Sequence, residues 1–298
     1  MEYPAVIVER SFRTGLRAGR AIALAALLIA LAGCGGGDGG KAATRSPGVA
    51  LAARLPSDDA LNIAIADVTA IRRTLGMPAG AIPPTKSDED DLVFLNEITP
   101  ALGVVASGEF PQPIVDAAME RAGWVAGVAG DEGVTAFKVN GDTSDFKAML
   151  REAGMKEDDG EWVAEDSEFA IALGDGLMAF ADDAGDAEPV VADDPGDPPE
   201  ELGQLDGDGE LITLARFGAA CIDAVATIDT PGLDGEIAFF TTATPDPGNV
   251  TNAGIATARP RVVGDAVRVP VRAADTPAGE PPALLALQSD KIDYDCDG

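Results

Sequence analysis

The sequence predicts an α+β fold, with antiparallel sheet, helices packed on one side of it, and two halves of similar layout. Short stretches of alternating apolar residues are interleaved with short stretches at helical spacing, which indicates strands and helices mixed along the chain. Two Gly-Asp turn signals, Gly174-Asp175-Gly176 and Gly264-Asp265, each lie between apolar runs. Such signals are typical of hairpins, so we expect the strands to pair antiparallel.

The first half of the predicted fold covers residues 55–181. The alternating stretch 61–67 predicts a strand, and Asp67 at its end suits the cap of a short helix that stops at Gly76 and Pro78. Further helices are predicted within 111–123 and 143–154, and further strands within 124–130, 133–141 and 169–183.

The second half is predicted to cover residues 210–298, after an acidic segment rich in proline and glycine. That segment, residues 182–209, has little to bury, and we interpret it as a linker or a long surface loop. Apolar residues at helical spacing from Leu211 to Val225 predict a helix, followed by strands within 235–245 and 259–273.

The two halves also share an order of elements. In each, a predicted strand (residues 134–139 or 236–241) is followed by one of the two Gly-Asp hairpins. A diverged duplication is one interpretation of this echo. The other is that Gly-Asp hairpins recur in any antiparallel sheet, and the sequence leaves both open.

The most specific pattern lies near the amino terminus. An apolar run from Ala21 to Ala32 has twelve residues, whereas a transmembrane helix needs about 20. Four arginines precede the run, and a positive segment followed by a short apolar one is typical of a secretory signal. These arginines are Arg10, Arg13, Arg17 and Arg20.

The run ends in Leu31-Ala32-Gly33-Cys34, which resembles the lipobox of bacterial lipoproteins. The resemblance implies that the thiol of Cys34 receives a diacylglyceryl group and that a signal peptidase, recognising Leu31, Ala32 and Gly33, cuts before Cys34. Residues 1–33 are then a signal peptide, and residues 34–54, rich in glycine and alanine, a flexible tether. The alternative is a buried cysteine in an Ala/Leu core helix.

Two apolar stretches, Asp67–Pro78 and Phe217–Ala226, are similar to segments of uncharacterised envelope lipoproteins of high-GC actinobacteria. This resemblance, which spans residue 55 onward, implies an envelope domain without assigned chemistry. Together with the lipobox it predicts an exported protein, anchored by lipid to the outer face of the cell membrane.

Charge and composition limit the function further. Removing residues 1–33 takes four arginines and two glutamates from 21 basic and 51 acidic residues, which leaves 17 and 49 and a formal charge of −32. Such a surface repels nucleic acid, so we expect no DNA or RNA partner. The chain contains no histidine, which excludes histidine-based hydrolysis and imidazole-ligated zinc. We therefore expect no catalytic residues and no cofactor.

Three cysteines are present, and lipidation of Cys34 leaves two thiols, Cys221 and Cys296. Because disulfides persist outside the cytoplasm, we predict that these two pair with each other. The alternative is a buried free Cys221 with Cys296 unpaired.

An acidic stretch also raises a calcium hypothesis. Asp293, Asp295 and Asp297, followed by Gly298, have the opening pattern of a calcium loop, and Asp206, Asp208 and Glu210 alternate in the same way. No closing glutamate follows Asp297 in the sequence, and short acidic motifs are expected by chance in so acidic a chain. We interpret these residues as a solvated acidic tail and predict no metal site.

The first functional hypothesis is a non-catalytic interaction or scaffold domain that contacts an envelope protein or polymer. The second is a small-ligand binder that uses a cleft between the two halves, for which a concave apolar pocket with a few polar groups would be required.

Overall fold

The computed structural model describes residues 46–56, 62–81, 94, 98–107, 110–129, 133–165, 167–192, 195–205, 209–216, 221–230, 234–252, 259–272, 281–289 and 292–296. The helices with both ends among the described residues are α1 (Pro47–Ala52), α2 (Val68–Thr74), α3 (Gln112–Arg121), α4 (Ser144–Glu152), α5 (Glu188–Val191), α6 (Glu200–Gly203) and α7 (Pro282–Gln288), and residues 98–102 are helical as well. The 3₁₀ turns are Gly103–Ser107 and Pro247–Asn249.

The strands of the first half are β1 (Asn62–Ala66), β2 (Ala122–Ala129), β3 (Val134–Val139), β4 (Lys156–Asp158), β5 (Glu161–Val163), β6 (Ala170–Gly174) and β7 (Leu177–Ala181). Those of the second half are β8 (Leu211–Arg216), β9 (Ile222–Asp229), β10 (Gly235–Thr241), β11 (Val250–Asn252), β12 (Arg261–Val263), β13 (Ala266–Val271) and β14 (Ile292–Tyr294).

Twelve of the described strands form one antiparallel sheet in the order β12-β13-β10-β9-β8-β1-β2-β3-β7-β6-β5-β4, and β11 pairs with β14 in a second sheet. The predicted α+β class with antiparallel pairing is confirmed. The centre of the large sheet is β1, where Ile65 lies opposite Ala126 of β2 and opposite Ile212 of β8. The two predicted halves are therefore joined by continuous hydrogen-bonded sheet.

Several local predictions are confirmed. The side chain of Asp67 accepts a 2.8 Å hydrogen bond from the backbone nitrogen of Ala70 and so caps α2. Both Gly-Asp turns close hairpins, β6–β7 and β12–β13. Their glycines have left-handed backbone, with φ of 66° at Gly176 and 60° at Gly264, a conformation that glycine adopts without steric penalty.

The strand order reads the same in both directions from the β1–β8 pair. On one side come β1, β2 and β3, then β7 and its hairpin partner β6; on the other come β8, β9 and β10, then β13 and its hairpin partner β12. The elements that echo each other in the sequence, β3 with β10 and the two Gly-Asp hairpins, occupy equivalent places. This shared strand order fits a diverged duplication and the recurrence of Gly-Asp hairpins alike, so both interpretations stay open.

Successive side chains of a strand point to opposite faces of the sheet. We call the face that carries Ile63 and Ile65 face A, and the face that carries Ala64 and Ala66 face B. Face A packs against α1, α5 and α6. Small side chains let a helix or loop approach a sheet closely, and face A is rich in them. Its buried alanines include Ala126, Ala136, Ala172, Ala179, Ala224, Ala226 and Ala238.

Face B carries the larger side chains and the longer helices. Phe137 and Phe180 lie under α3 and α4 in the first half, and Phe239 lies under α7 in the second. The prediction of helices on one side holds for α2, α3, α4 and α7, but α1, α5 and α6 cover the other face.

The helix predicted from Leu211 to Val225 is wrong. The described residues of this stretch form β8 and the first part of β9. Both strands lie near the centre of a sheet covered on both faces, so apolar residues occur at consecutive positions and imitate helical spacing.

Two segment predictions also need correction. The predicted tether 34–54 includes α1, whose Val49, Leu51 and Ala52 are buried in the core of face A. The predicted linker or loop 182–209 contributes Val190, Leu202 and Leu205 to the same core, and it contains α5 and α6. The part of the tether prediction on residues 34–45, and the signal peptide 1–33, lie outside the described residues.

Candidate functional site

The residues predicted for anchoring, namely Leu31, Ala32, Gly33 and Cys34, lie outside the described residues. Lipidation of Cys34 therefore stays a prediction. The disulfide prediction is confirmed, because Cys221 and Cys296 are bonded, with their Cα atoms 5.7 Å apart and a sequence separation of 75. Cys221 immediately precedes β9 rather than lying on a helix, and Cys296 follows β14.

The disulfide is one of several attachments of the last strand. β14 pairs with β11, with Val250 opposite Tyr294. The Tyr294 ring is buried 5.7 Å from that of Phe239, and its hydroxyl accepts a 3.2 Å hydrogen bond from the backbone nitrogen of Asp246. The acidic tail is thus held by backbone pairing, ring packing and a covalent bond together.

Of the calcium candidates, Asp293, Asp295 and Glu210 lie among the described residues, and no group of metal-binding side chains includes them there. Asp293 is exposed on β14 and its carboxylate accepts a hydrogen bond from the backbone of Tyr294. Asp297, Asp206 and Asp208 lie outside the described residues, while Glu210 accepts hydrogen bonds from the Thr74 hydroxyl at 2.8 and 3.1 Å. In the part of the chain that the structure describes, no three His, Cys, Asp or Glu side chains are grouped to hold a metal ion.

A buried carboxylate that sequence reasoning missed is Asp229, the last residue of β9. It is fully buried and accepts hydrogen bonds from the backbone nitrogens of Ala283, at 2.6 Å, and Leu284, at 3.1 Å. Burial raises its pKa from 3.8 to about 6, against the lowering effect of these bonds and of a bond from Thr227. Asp229 therefore caps α7 from a distant strand.

Glu161 of β5 has the same task at α5. Its carboxylate accepts hydrogen bonds from the backbone nitrogens of Gly185, Ala187 and Glu188, at 2.7, 2.8 and 2.7 Å. The residues that precede α5 and α7, Ala187 and Pro281, supply no capping side chain. The sequence does carry one signal for such a distant cap. A helix that begins without Ser, Thr, Asp or Asn has free backbone N–H groups, which need an acceptor from another part of the chain.

Two buried arginines donate hydrogen bonds to backbone oxygens of other elements. Arg72 of α2 donates to the backbone oxygens of Ala81, Ala122 and Met119 at 3.1, 3.2 and 2.6 Å, and so satisfies carbonyls at the end of α3. Arg268 of β13 donates to Glu236 at 3.1 Å and to the backbone oxygen of Gln204. Both side chains join elements that are distant in sequence.

Asp67 and Glu210 form an acidic pair beside α2. Burial raises the pKa of both carboxyl groups, and the charge of Asp67 raises that of Glu210 further. Asp67 is engaged as the cap of α2, and Glu210 with Thr74. Each of the perturbed carboxyl groups described so far therefore has a structural partner, and the arrangement stabilises helix ends.

Within the described ranges, no helix combines the length and the apolar character that crossing a bilayer demands. What the fold defines is an α+β protein built on one large antiparallel sheet, with its last strand tied back by a disulfide.

No protein-family model matches the sequence, and no curated protein matches it either. Among solved structures, three crystal forms of a protein called TP0453 are similar to the chain. Forms III and I have a TM-score of 0.46 and 10% identity, and they cover 80% and 82% of this chain and 97% of their own. Form IV has a TM-score of 0.40 and 10% identity, with coverage of 72% and 89%. A similarity of this degree carries no functional argument.

Proposed function

We propose that the chain is an exported protein, held at the outer face of the cell membrane by acyl chains on Cys34. The proposal starts from the lipobox resemblance of Leu31-Ala32-Gly33-Cys34 and from an apolar run of twelve residues, which is too short to span. One acyl chain gives only marginal membrane binding, whereas two or more hold a protein stably. A diacylglyceryl group would supply this number.

The structural observation that supports export is the Cys221–Cys296 disulfide. Disulfides form and persist in oxidising compartments and are rare in the cytosol. The bond also uses the two thiols that remain after Cys34, so no free cysteine is left on an exported chain that has been lipidated.

The role we propose for the anchored domain is non-catalytic, as an interaction or scaffold domain for an envelope protein or polymer. Among the described residues, the buried carboxylates are those of Asp229 and Glu161, and both are engaged at helix starts. The formal charge of −30 on the whole chain disfavours nucleic acid as a partner.

The alternative hypothesis placed a small ligand in a cleft between the two halves. The halves meet at β1 and β8, which pair along five residues from Asn62 opposite Ala215 to Ala66 opposite Leu211. Among the described residues this junction is sheet, with Ile65 and Ile212 buried side by side. No observation specifically favours the ligand-binding hypothesis.

The anchor is tested by growing a lipoprotein-processing bacterium that expresses the full chain with labelled fatty acid. The wild-type protein should incorporate label, and Cys34→Ala should not, because it offers no thiol for the diacylglyceryl group. The matched control is the Cys221→Ser/Cys296→Ser double variant, which keeps Cys34 as its sole cysteine and should still incorporate label. Equal labelling of Cys34→Ala and wild type would contradict the proposal.

A further inference from the structure

Three side chains lie next to one another at one end of face A. Trp124 of β2 is directly opposite Lys138 of β3, and Lys138 is directly opposite Leu177 of β7. Directly opposite residues of antiparallel strands point to the same face and contact each other. Lys138 is exposed, whereas Trp124 and Leu177 are half-buried. The row is therefore aromatic, cationic and aliphatic in turn; Lys138 is open to solvent, while Trp124 and Leu177 pack against the core of face A and expose only part of their surface.

The amino-terminal segment joins the fold beside this row. Ser46 caps α1 through a 3.2 Å hydrogen bond from the backbone nitrogen of Val49. Gly48, in the first turn of α1, lies against the indole, since a Cβ atom built there would be 2.4 Å from Cζ3 of Trp124. An anchor on the chain before Ser46 would therefore pull on the fold at a point next to Trp124.

The distance from Cys34 to this point is limited by the covalent chain. Cys34 and Ser46 are twelve residues apart, and a fully extended chain of that length spans at most about 40 Å. A tether this short raises the effective concentration of a second contact to about the millimolar range. A surface with weak affinity for lipid would thus be occupied once Cys34 is acylated.

The side chains of the row suit the boundary between lipid and water. Tryptophan has an amphipathic ring that is enriched at this boundary, and lysine places its stem along apolar surface while its amine stays in water. Trp162, in contrast, is only 2% exposed and packs 5.2 Å from the guanidinium of Arg151. Exposed Asp175 and Glu188 belong to neighbouring elements, the β6–β7 turn and α5. These charges favour a zwitterionic lipid surface over an anionic one.

We propose that Trp124, Lys138 and Leu177 form the surface that rests on the outer leaflet to which Cys34 anchors the chain. The proposal rests on the lipid anchor put forward under the proposed function. It adds an orientation, because the end of face A near Ser46 then faces the membrane and the opposite end, with the Cys221–Cys296 disulfide, faces away.

The test uses full-length protein purified from a lipoprotein-processing host and reconstituted into phosphatidylcholine vesicles, with or without bromine on the acyl chains. Bromine quenches indole fluorescence on contact. We expect brominated vesicles to lower the emission of the wild-type protein, and this loss to disappear in Trp124→Phe, which keeps Trp162. Lys138→Glu should reduce the loss, because it places a carboxylate at the lipid boundary.

Vesicle flotation in the same samples separates the two proposals. Wild-type protein that floats with the vesicles and shows the loss of emission through Trp124 supports both. Protein that floats but shows equal emission in the two kinds of vesicle overturns the surface proposal and leaves the anchor in place. Protein that does not float, and behaves like Cys34→Ala, overturns the anchor and the surface proposal with it.

Discussion

The carboxylate of Asp229, at the end of β9, accepts a 2.6 Å hydrogen bond from the backbone nitrogen of Ala283, at the start of α7. The pair joins residues that are 54 positions apart, so a strand supplies the cap that the helix sequence Pro281-Pro282-Ala283 lacks. α7 in turn packs on Phe239 and Ile237 of face B. This single contact therefore bears on the stability of the whole second half.

Replacing Asp229 with Ala should lower the free energy of unfolding at pH 7 by about 1–2 kcal/mol, the usual effect of removing a helix cap. The matched control is Asp223→Ala, on the same strand but exposed, which should change it by less than about 0.5 kcal/mol. Urea denaturation of both variants measures the difference. Equal stabilities would show that Asp229 does not hold α7.

The same residue predicts a pH dependence. Burial raises the pKa of Asp229 from 3.8 to about 6 in the folded protein, so the folded state binds this proton more tightly than the unfolded state. The contribution of Asp229 to stability is therefore highest below pH 3.8 and falls as the pH rises to about 6. A shift of this size corresponds to about 3 kcal/mol.

This dependence is isolated by comparing wild type with Asp229→Asn, because every other carboxyl group titrates alike in the two proteins. The stability of the wild type relative to the variant should fall by about 3 kcal/mol from a pH well below 3.8 to a pH well above 6. Denaturation curves at several pH values measure it. Parallel curves for the two proteins would contradict the prediction.

Breaking the Cys221–Cys296 bond should destabilise the protein strongly. The bond closes a loop of 75 residues, for which the chain-entropy model gives about 4 kcal/mol. Cys221→Ser, Cys296→Ser and the double variant should lose the same amount, since each removes the same bond. Thermal denaturation with and without a thiol reductant checks this, and an unchanged midpoint on reduction of the wild type would refute it.

Gly48→Ala tests whether α1 is docked on the sheet. The added Cβ would lie 2.4 Å from Trp124 and 2.6 Å from Ile65, and overpacking of this kind destabilises a protein by about 1–3 kcal/mol. Ala50→Ser, at an exposed position of the same helix, is the control and should be close to neutral. If Gly48→Ala is as stable as the control, residues 47–52 behave as part of the tether and not as a helix docked on the sheet.

Arg72→Lys should destabilise the protein although the charge is kept. A lysine amine cannot reproduce the three hydrogen bonds of the guanidinium to Ala81, Ala122 and Met119, and buried carbonyls left without a donor reduce stability by about 2 kcal/mol or more. Its neighbour Arg73 is exposed, so Arg73→Lys serves as the control. Similar denaturation midpoints for the two variants would mean that Arg72 does not join α2 to α3.

Much of the first half was predictable because its signals are local. Asp67 directly follows an alternating stretch and caps the next helix, and Gly174-Asp175-Gly176 separates two apolar runs that pair as β6 and β7. The cysteine pairing was predictable by elimination, since only two thiols remained to bond. Each of these inferences depends only on a few residues adjacent in sequence, or on the number of cysteines.

The errors arise where tertiary packing decides the local structure. Ile212 and Leu214 of β8 are buried on face A, while Leu211 is buried on face B, so alternation is hidden and helical spacing is imitated. α1 has the glycine and alanine content of a tether, yet it packs on face A, where Gly48 lies against Trp124 and Ile65. The bonds from Asp229 and Glu161 to distant helix starts follow from the sheet register, which the sequence alone does not reveal.

The proposed lipid on Cys34 is measured by the mass of the amino-terminal tryptic peptide. Trypsin cuts after Lys41 and Arg20, so a processed and acylated protein should yield residues 34–41 with a diacylglyceryl thioether on Cys34. The full chain from a lipoprotein-processing host should give this peptide, and Cys34→Ala should not. Recovery from the wild type of residues 21–41 with a free Cys34 thiol would show that the chain is neither cleaved before Cys34 nor lipidated there.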